Sequence, residues 1–109
     1  MTHITIYKSS DTKRNVGFMS AGHSGYADEG SDIICSAISL LTFNTVNSVE
    51  KFTDDKFEVS VNEDEASLYF LVTSEISEKT QVLLDALELG LVTLAKGNPD
   101  YLLIIVKEV

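Results

Sequence analysis

The residues best suited to covalent chemistry are one histidine and one cysteine that lie close together in the sequence. His23 stands in the glycine-containing segment Gly22-His23-Ser24-Gly25-Tyr26, and Cys35 is the only cysteine of the chain. A thiol becomes a strong nucleophile as a thiolate, and a helix N-terminus or a nearby imidazolium favours that form. A histidine beside it can accept the thiol proton and later donate it to a leaving amine. The pair therefore suggests a cysteine protease.

We predict that Cys35 lies at the start of a helix that Ser31 or Asp32 caps. Backbone amides at that helix start would then stabilise the oxyanion of a tetrahedral intermediate. Ser39, four residues further on, should share the helical face of Cys35. The functional role of Asp32 would be to orient His23, and its structural alternatives are a helix cap and a surface acid. The structural alternative for Cys35 is packing in the core, where cysteines outside disulfides are common.

The glycine-rich segment indicates a functional loop. Gly22, Gly25 and Gly30 weaken local order, so we expect loop 22–32 to be mobile when empty and to close over a peptide, carrying His23 toward Cys35. The alternative to a catalytic His23 is a solvated histidine on the surface. Three neighbouring acidic residues would disfavour the thiolate form of Cys35: Asp28, Glu29 and Asp32.

Composition narrows the function classes. The chain has 109 residues, enough for one domain spanning 1–109, and a net charge of −9 that disfavours nucleic acid and anionic membrane surfaces as partners. A single cysteine excludes an intramolecular disulfide and favours a reducing, cytoplasmic location. The longest strongly apolar run, Tyr101–Val106, is far shorter than a membrane span. Phosphate-binding loops and zinc-type spacings are missing, so we expect no cofactor and no metal.

Hydrophobic patterning predicts the element order ββαββαβ. Alternating residues indicate two initial strands and a hairpin across Asn62–Ala66, and Tyr101–Val106 should be a largely buried final strand. One predicted helix ends near Phe52, and another runs from a Ser77 cap to a glycine cap at Gly97. Two helices on one face of a mixed sheet make a two-layer α/β sandwich. The apolar stripes expected to face the sheet are Ile34, Ile38, Leu41, Val49 and Phe52 in the first helix, and Leu83, Leu87, Leu91 and Leu94 in the second.

Two neighbouring motifs give the chain a family resemblance. Gly22-His23-Ser24-Gly25-Tyr26-Ala27, followed by Gly30 and by Asp32-Ile33-Ile34-Cys35-Ser36-Ala37-Ile38-Ser39, resembles the signature of the ribosomal-processing cysteine protease Prp family. The resemblance implies a cytoplasmic, homodimeric α/β sandwich in which His23 and Cys35 form the catalytic dyad. It also implies supporting roles for Asp32 and Ser39, and a substrate loop formed by Gly22, Ser24, Gly25, Tyr26 and Gly30.

The resemblance further implies a substrate. Members of the family remove the N-terminal extension of the large-subunit ribosomal protein bL27, cutting after an aromatic pair and before a small residue. A basic ribosomal substrate agrees with the acidic charge of this chain. The alternative is a non-catalytic protein-binding or ribosome-assembly module on the same scaffold, in which Cys35 would only pack.

Overall fold

The chain folds as a five-stranded mixed sheet with two helices packed on one of its faces, as predicted. The computed structural model describes residues 1–22 and 29–109, and the side chains of all of these except residues 29–32. The elements are β1 (Thr2–Lys8), β2 (Asn15–Ala21), α1 (Glu29–Phe52), β3 (Phe57–Asn62), β4 (Ser67–Val72), α2 (Glu78–Gly97) and β5 (Leu102–Glu108). The strands lie in the order β3-β4-β2-β1-β5.

Strand pairing explains why the sheet is mixed. β1 and β2 form an antiparallel hairpin, β3 and β4 form another, and β4 pairs antiparallel with β2. β5 returns after α2 and pairs parallel with β1, because a helical crossover carries the chain back to the same end of the sheet. The edges of the sheet are therefore β3 and β5.

The core lies between the sheet and the two helices. Phe18 of β2 and Phe70 of β4 are fully buried, and their rings stack with centroids 5.5 Å apart. Ile4 of β1 is buried beside them. Because side chains alternate along a strand, the large buried side chains of each strand lie on the face that packs against the helices.

The predicted helix stripes are largely confirmed, with one error. Ile34, Ile38 and Val49 of α1 are buried, and Leu87 and Leu91 of α2 are buried as well. Leu41, Leu83 and Leu94 are partly buried and pack against this core. Phe52, however, is 60% exposed, and Val46 is the buried residue instead. Phe52 is the last residue of α1.

The prediction that Tyr101–Val106 is largely buried is wrong. Leu102 is buried and Ile104 is half-buried, but Leu103, Ile105 and Val106 are exposed. Leu103 and Ile105 alternate with Leu102 and Ile104, so they lie on the sheet face that the helices leave uncovered. Val106 lies on the helix-facing side, but β5 is an edge strand and lacks a neighbour on one side. A β-branched run indicates a strand, but it does not reveal the position of that strand in the sheet.

Length and apolar character alone would allow α1 to cross a membrane, in the segment Ile33–Phe52. The core helix of a globular domain passes the same test. Ile34, Ile38, Val46 and Val49 of this segment are buried against the sheet, so α1 serves as the central core helix here.

The ends of the helices differ in how well the sequence predicts them. Ser77 caps α2 as predicted, its Oγ accepting a hydrogen bond from the Thr80 amide at 3.3 Å. At the other end, Gly97 is the last helical residue and Asn98 is the C-cap, with its amide donating to the Ala95 carbonyl. The predicted glycine cap at Gly97 is therefore wrong by one residue.

Candidate active site

Cys35 lies half-buried on α1, where the helix passes the ends of the first two strands. It opens into a small cavity of about 110 Å³, which we call the Cys35 cavity. Four parts of the chain meet there, because β1, β2, α1 and the β3–β4 turn all contribute to its lining. The residues lining it besides Cys35 are Thr2, Ser20, Gly22, Ile38, Ser39 and Ala66.

The helical spacing of the lining residues from α1 confirms that Ser39 shares a face with Cys35. Ile38 is buried and forms the floor of this face, whereas Ser39 is exposed at its mouth. Thr42 continues the same face one turn further on and is buried, with its hydroxyl donating to the Ile38 carbonyl at 2.8 Å. The semi-polar face expected from Cys35, Ser39 and Thr42 is therefore present.

Gly22 lines the cavity from the end of β2, and its backbone has a conformation that favours glycine. Its φ is +92°, and a Cβ atom added there would lie 3.0 Å from the carbonyl oxygen of Met1. The Thr2 hydroxyl donates to the Gly22 carbonyl at 3.4 Å. Other side chains rarely adopt a positive φ, so glycine is strongly favoured where the chain leaves β2.

The prediction that Cys35 lies at the start of a helix is wrong. α1 begins at Glu29, more than one turn before Cys35, and both predicted caps, Ser31 and Asp32, lie inside its first turn. Only the first four amides of a helix lack an internal partner, and the helix dipole acts mainly within the first turn. Backbone amides next to Cys35 are therefore not the oxyanion donors that we predicted.

The predicted loop residues fall into two groups. His23, Ser24, Gly25 and Tyr26 lie outside the described residues, so the pairing of His23 with Cys35 and the closing of the loop remain predictions. Gly30 and Asp32 belong to α1. The expectation that Gly30 lies in the loop is therefore wrong, because the helix starts before it.

Sequence reasoning missed three residues that line the Cys35 cavity: Thr2, Ser20 and Ala66. Ser20 carried a signal, because it occupies an inward-facing position of β2 two residues after the buried Phe18. A polar residue in that position indicates a site that is not filled by core packing. Thr2 and Ala66 carried no comparable signal, since only strand pairing brings them to α1.

A larger groove adjoins the Cys35 cavity. This side groove has a volume of about 310 Å³ and lies between Thr42 and Phe43 of α1 and the β3–β4 hairpin, where Val61 and Leu68 line it. The residues common to the Cys35 cavity and the side groove are Ser20, Ser39 and Ala66. The two cavities therefore form one continuous depression that starts at Cys35.

The sequence matches a known protease family along most of the chain. Residues 1–103 match the family of the cysteine protease Prp. The chain is 27% identical over 106 residues to the ribosomal processing cysteine protease Prp of Bacillus subtilis, and the match covers 94% of each chain.

Solved structures agree on the fold. The structure of Staphylococcus aureus Prp in complex with a substrate peptide matches with a TM-score of 0.89 and 16% identity, over 98% of this chain and 100% of that one. The same protease with a covalently linked product peptide matches with a TM-score of 0.87 and 17% identity, over the same shares of the two chains. A Streptococcus mutans protein matches with a TM-score of 0.85 and 26% identity, over 100% of this chain and 96% of that one.

The family match covers nearly the whole chain, and the solved structures show the same architecture. The chain belongs to the family of the cysteine protease Prp and is a cysteine protease.

Proposed function

We propose that this protein is a sequence-specific endopeptidase of the cytoplasm that removes the N-terminal extension of ribosomal protein bL27, with Cys35 as nucleophile and His23 as acid and base. The observation that carries the proposal is the position of Cys35, half-buried at the head of a depression that continues along α1. The Bacillus subtilis relative is named a ribosomal processing protease, which supports a ribosomal protein as the substrate.

The chemistry proceeds in two stages. The His23 imidazole accepts the Cys35 thiol proton, and Sγ attacks the scissile carbonyl carbon to form a tetrahedral oxyanion. Collapse of this intermediate breaks the C–N bond, as the imidazolium donates its proton to the leaving amine and a thioester remains on Cys35. A water molecule then gives a proton to His23 and attacks the thioester carbon. Breaking the C–S bond releases the new carboxyl terminus and restores the thiol.

The oxyanion needs donors other than the amides beside Cys35. Ser39 and Ser20 both carry hydroxyl groups and both line the Cys35 cavity. Hydroxyl donors aimed at the developing charge stabilise such an intermediate. We therefore assign Ser39 to oxyanion stabilisation, with Ser20 as a second donor, and expect Ser39→Ala to lower kcat about 10- to 100-fold without a comparable change in KM.

Charge supports a basic substrate. The chain carries a net charge of −9, and three consecutive acidic residues, Glu63, Asp64 and Glu65, occupy the β3–β4 turn beside the side groove. Acidic surface around a site raises the rate of encounter with a cationic protein. Raising the salt concentration should therefore increase KM for a basic ribosomal protein more than for a neutral peptide.

We also propose that two copies associate through the sheet face that the helices leave uncovered. Leu103 and Ile105 of β5 are 45% and 44% exposed. Tyr7 and Tyr69 make an edge-to-face ring contact, 5.9 Å between centroids. Contiguous exposed apolar surface supports a protein interface. Light scattering should report a dimer that Ile105→Lys converts to a monomer, whereas Leu89→Lys on the exposed side of α2 should leave it intact.

The decisive experiment compares native protein with Cys35→Ala on full-length bL27 that carries its N-terminal extension. Mass spectrometry of the product should show one new N-terminus with native protein, and the variant should cleave about a thousand-fold more slowly or not at all. Ser36→Ala, at the exposed neighbouring position, is the matched control and should cleave normally. Cleavage by both native protein and Cys35→Ala, or by neither, would refute the proposal.

Thiol alkylation separates this proposal from a non-catalytic binding module. A catalytic Cys35 should react rapidly with iodoacetamide in the folded protein at neutral pH, whereas a cysteine that only packs should react after unfolding. His23→Ala should abolish cleavage and slow the alkylation. An equal alkylation rate in native protein and His23→Ala would contradict the assigned role of His23.

A further inference from the structure

The side groove offers a binding site for part of the substrate, and its place relative to Cys35 can be measured along α1. Cys35, Ser39 and Phe43 are spaced four residues apart and therefore share a face of the helix. At about 1.5 Å per residue, Phe43 lies about 12 Å along the axis from Cys35. An extended peptide advances about 3.3 Å per residue, so this distance corresponds to three or four substrate residues.

Each wall of the side groove carries an apolar side chain. The groove is also lined by six polar residues: Ser20, Ser39, Thr42, Asn62, Glu63 and Ser67. Phe43 projects from α1 and is 43% exposed, and Val61 of β3 is 53% exposed on the opposite wall. Leu68 of β4 is buried, and it pairs with Val61 across the hairpin. Val61 lies on the helix-facing side of the hairpin, and Phe43 lies on the face of α1 that also carries Cys35. When the groove is empty, both side chains leave apolar surface in water.

The volume of the side groove matches one large side chain. About 310 Å³ is at the lower end of the range for small-ligand pockets, which is enough for a single aromatic or branched aliphatic group. Its polar lining residues include Ser20 and Ser39, which it shares with the Cys35 cavity and which suit the peptide backbone between this side chain and Cys35.

From these observations we infer that the side groove is a specificity subsite that binds a large apolar side chain located three or four residues from the scissile bond. Phe43 and Val61 are its specificity-determining walls. The inference rests on the proposed function, because it requires that the scissile carbonyl be placed at Cys35. Beyond that function, Phe43 and Val61 are the residues that select the substrate, and they recognise a side chain distant from the scissile bond.

The test uses peptide substrates in which each residue from the second to the fifth on either side of the scissile bond is replaced by alanine in turn. With native protein, alanine at one peptide position three or four residues from the scissile bond should lower kcat/KM about 10- to 30-fold. Each buried methylene of the substrate side chain contributes about four-fold. Phe43→Ala should reduce this preference about five- to ten-fold and Val61→Ala about three- to five-fold. Most of the change should appear in KM.

Two matched variants control for general effects on folding and surface character. Val59 precedes Val61 by two residues on the same side of β3 and is 47% exposed, and Leu40 is exposed on α1. Neither is among the described residues that line the side groove or the Cys35 cavity. Val59→Ala and Leu40→Ala should keep the native preference within about two-fold. If Phe43→Ala and Val61→Ala also keep it, the subsite is refuted while the protease activity stands.

A binding measurement keeps the test independent of turnover. In the Cys35→Ala background, fluorescence anisotropy should report a Kd about 10- to 30-fold weaker for the peptide with alanine at the sensitive position, and Phe43→Ala should remove most of that difference. Loss of cleavage in native protein together with this binding pattern would refute the protease proposal and retain the subsite. Equal affinity for both peptides would refute the subsite.

Discussion

Gly22→Ala most directly tests the backbone conformation with which the chain leaves β2 beside the Cys35 cavity. The φ of Gly22 is +92°, and the new Cβ would lie 3.0 Å from the backbone carbonyl oxygen of Met1. A left-handed backbone costs a residue with a Cβ about 1–2 kcal/mol. The reduced entropy of the unfolded chain offsets about 0.5 kcal/mol of this cost, and the close contact with Met1 adds to it. We therefore expect a net loss of about 1–2 kcal/mol in the free energy of unfolding.

Gly97→Ala provides a matched control for the same chemical change. Gly97 ends α2 as a helical residue, and a Cβ added there has no neighbour within 4 Å among the described residues. Alanine is the better helix former, so this variant should gain up to about 0.5–1 kcal/mol. Urea unfolding of native protein and both variants, monitored by circular dichroism, measures the difference.

The effect of Gly22→Ala on catalysis should be measured under conditions in which native protein and both variants are fully folded. Gly22 borders the Cys35 cavity and immediately precedes His23, so a shift of its backbone should displace both. We expect kcat/KM to fall about ten-fold or more in Gly22→Ala and to stay native in Gly97→Ala. If Gly22→Ala is as stable as Gly97→Ala and equally active, the conformational reasoning is refuted.

Three further predictions concern polar groups that hold the sandwich together. Ser77→Ala should lower the free energy of unfolding by about 1 kcal/mol in urea titrations, because α2 loses its N-cap. Burial raises the pKa of Asp55, but hydrogen bonds from Thr80 and Ser77 outweigh it and hold that pKa below its usual value. Its ionised form therefore stabilises the fold above about pH 4, and Asp55→Asn should reduce the loss of stability between pH 7 and pH 3. Asn15→Ala should cost about 1–3 kcal/mol in thermal unfolding, because the buried Asn15 amide donates to the Glu88 carboxylate at 3.0 Å.

Local patterns accounted for the secondary structure because their causes are local. Alternation in Phe57–Asn62 and Ser67–Val72 reflects the two faces of a strand, and both strands form the predicted hairpin. The Ser77 cap depends on an oxygen that reaches an amide three residues away. The start of α1 was harder to predict, because the polar residues that commonly cap helices also occur within the first turn.

Core membership was predicted well where a helix crosses the sheet and poorly at the sheet edges. The buried stripe from Ile34 to Val49 follows helical periodicity. The same apolar residue types in β5 are exposed where they face away from the helices or lie at the sheet edge. No pattern within Leu102–Glu108 distinguishes a central strand from an edge strand, because the difference depends on which other segments pair with it.

The sequence by itself determined the element order and the family to which the chain belongs, and it singled out His23 and Cys35 as the predicted catalytic residues. These depend on residue types and short spacings, which are read along the chain. The tertiary structure alone decided that Ser20 reaches the Cys35 cavity and that Val61 faces Phe43 across the side groove. Both depend on the strand order β3-β4-β2-β1-β5. That order is set by the summed free energy of pairing and packing distant segments, which no single segment encodes.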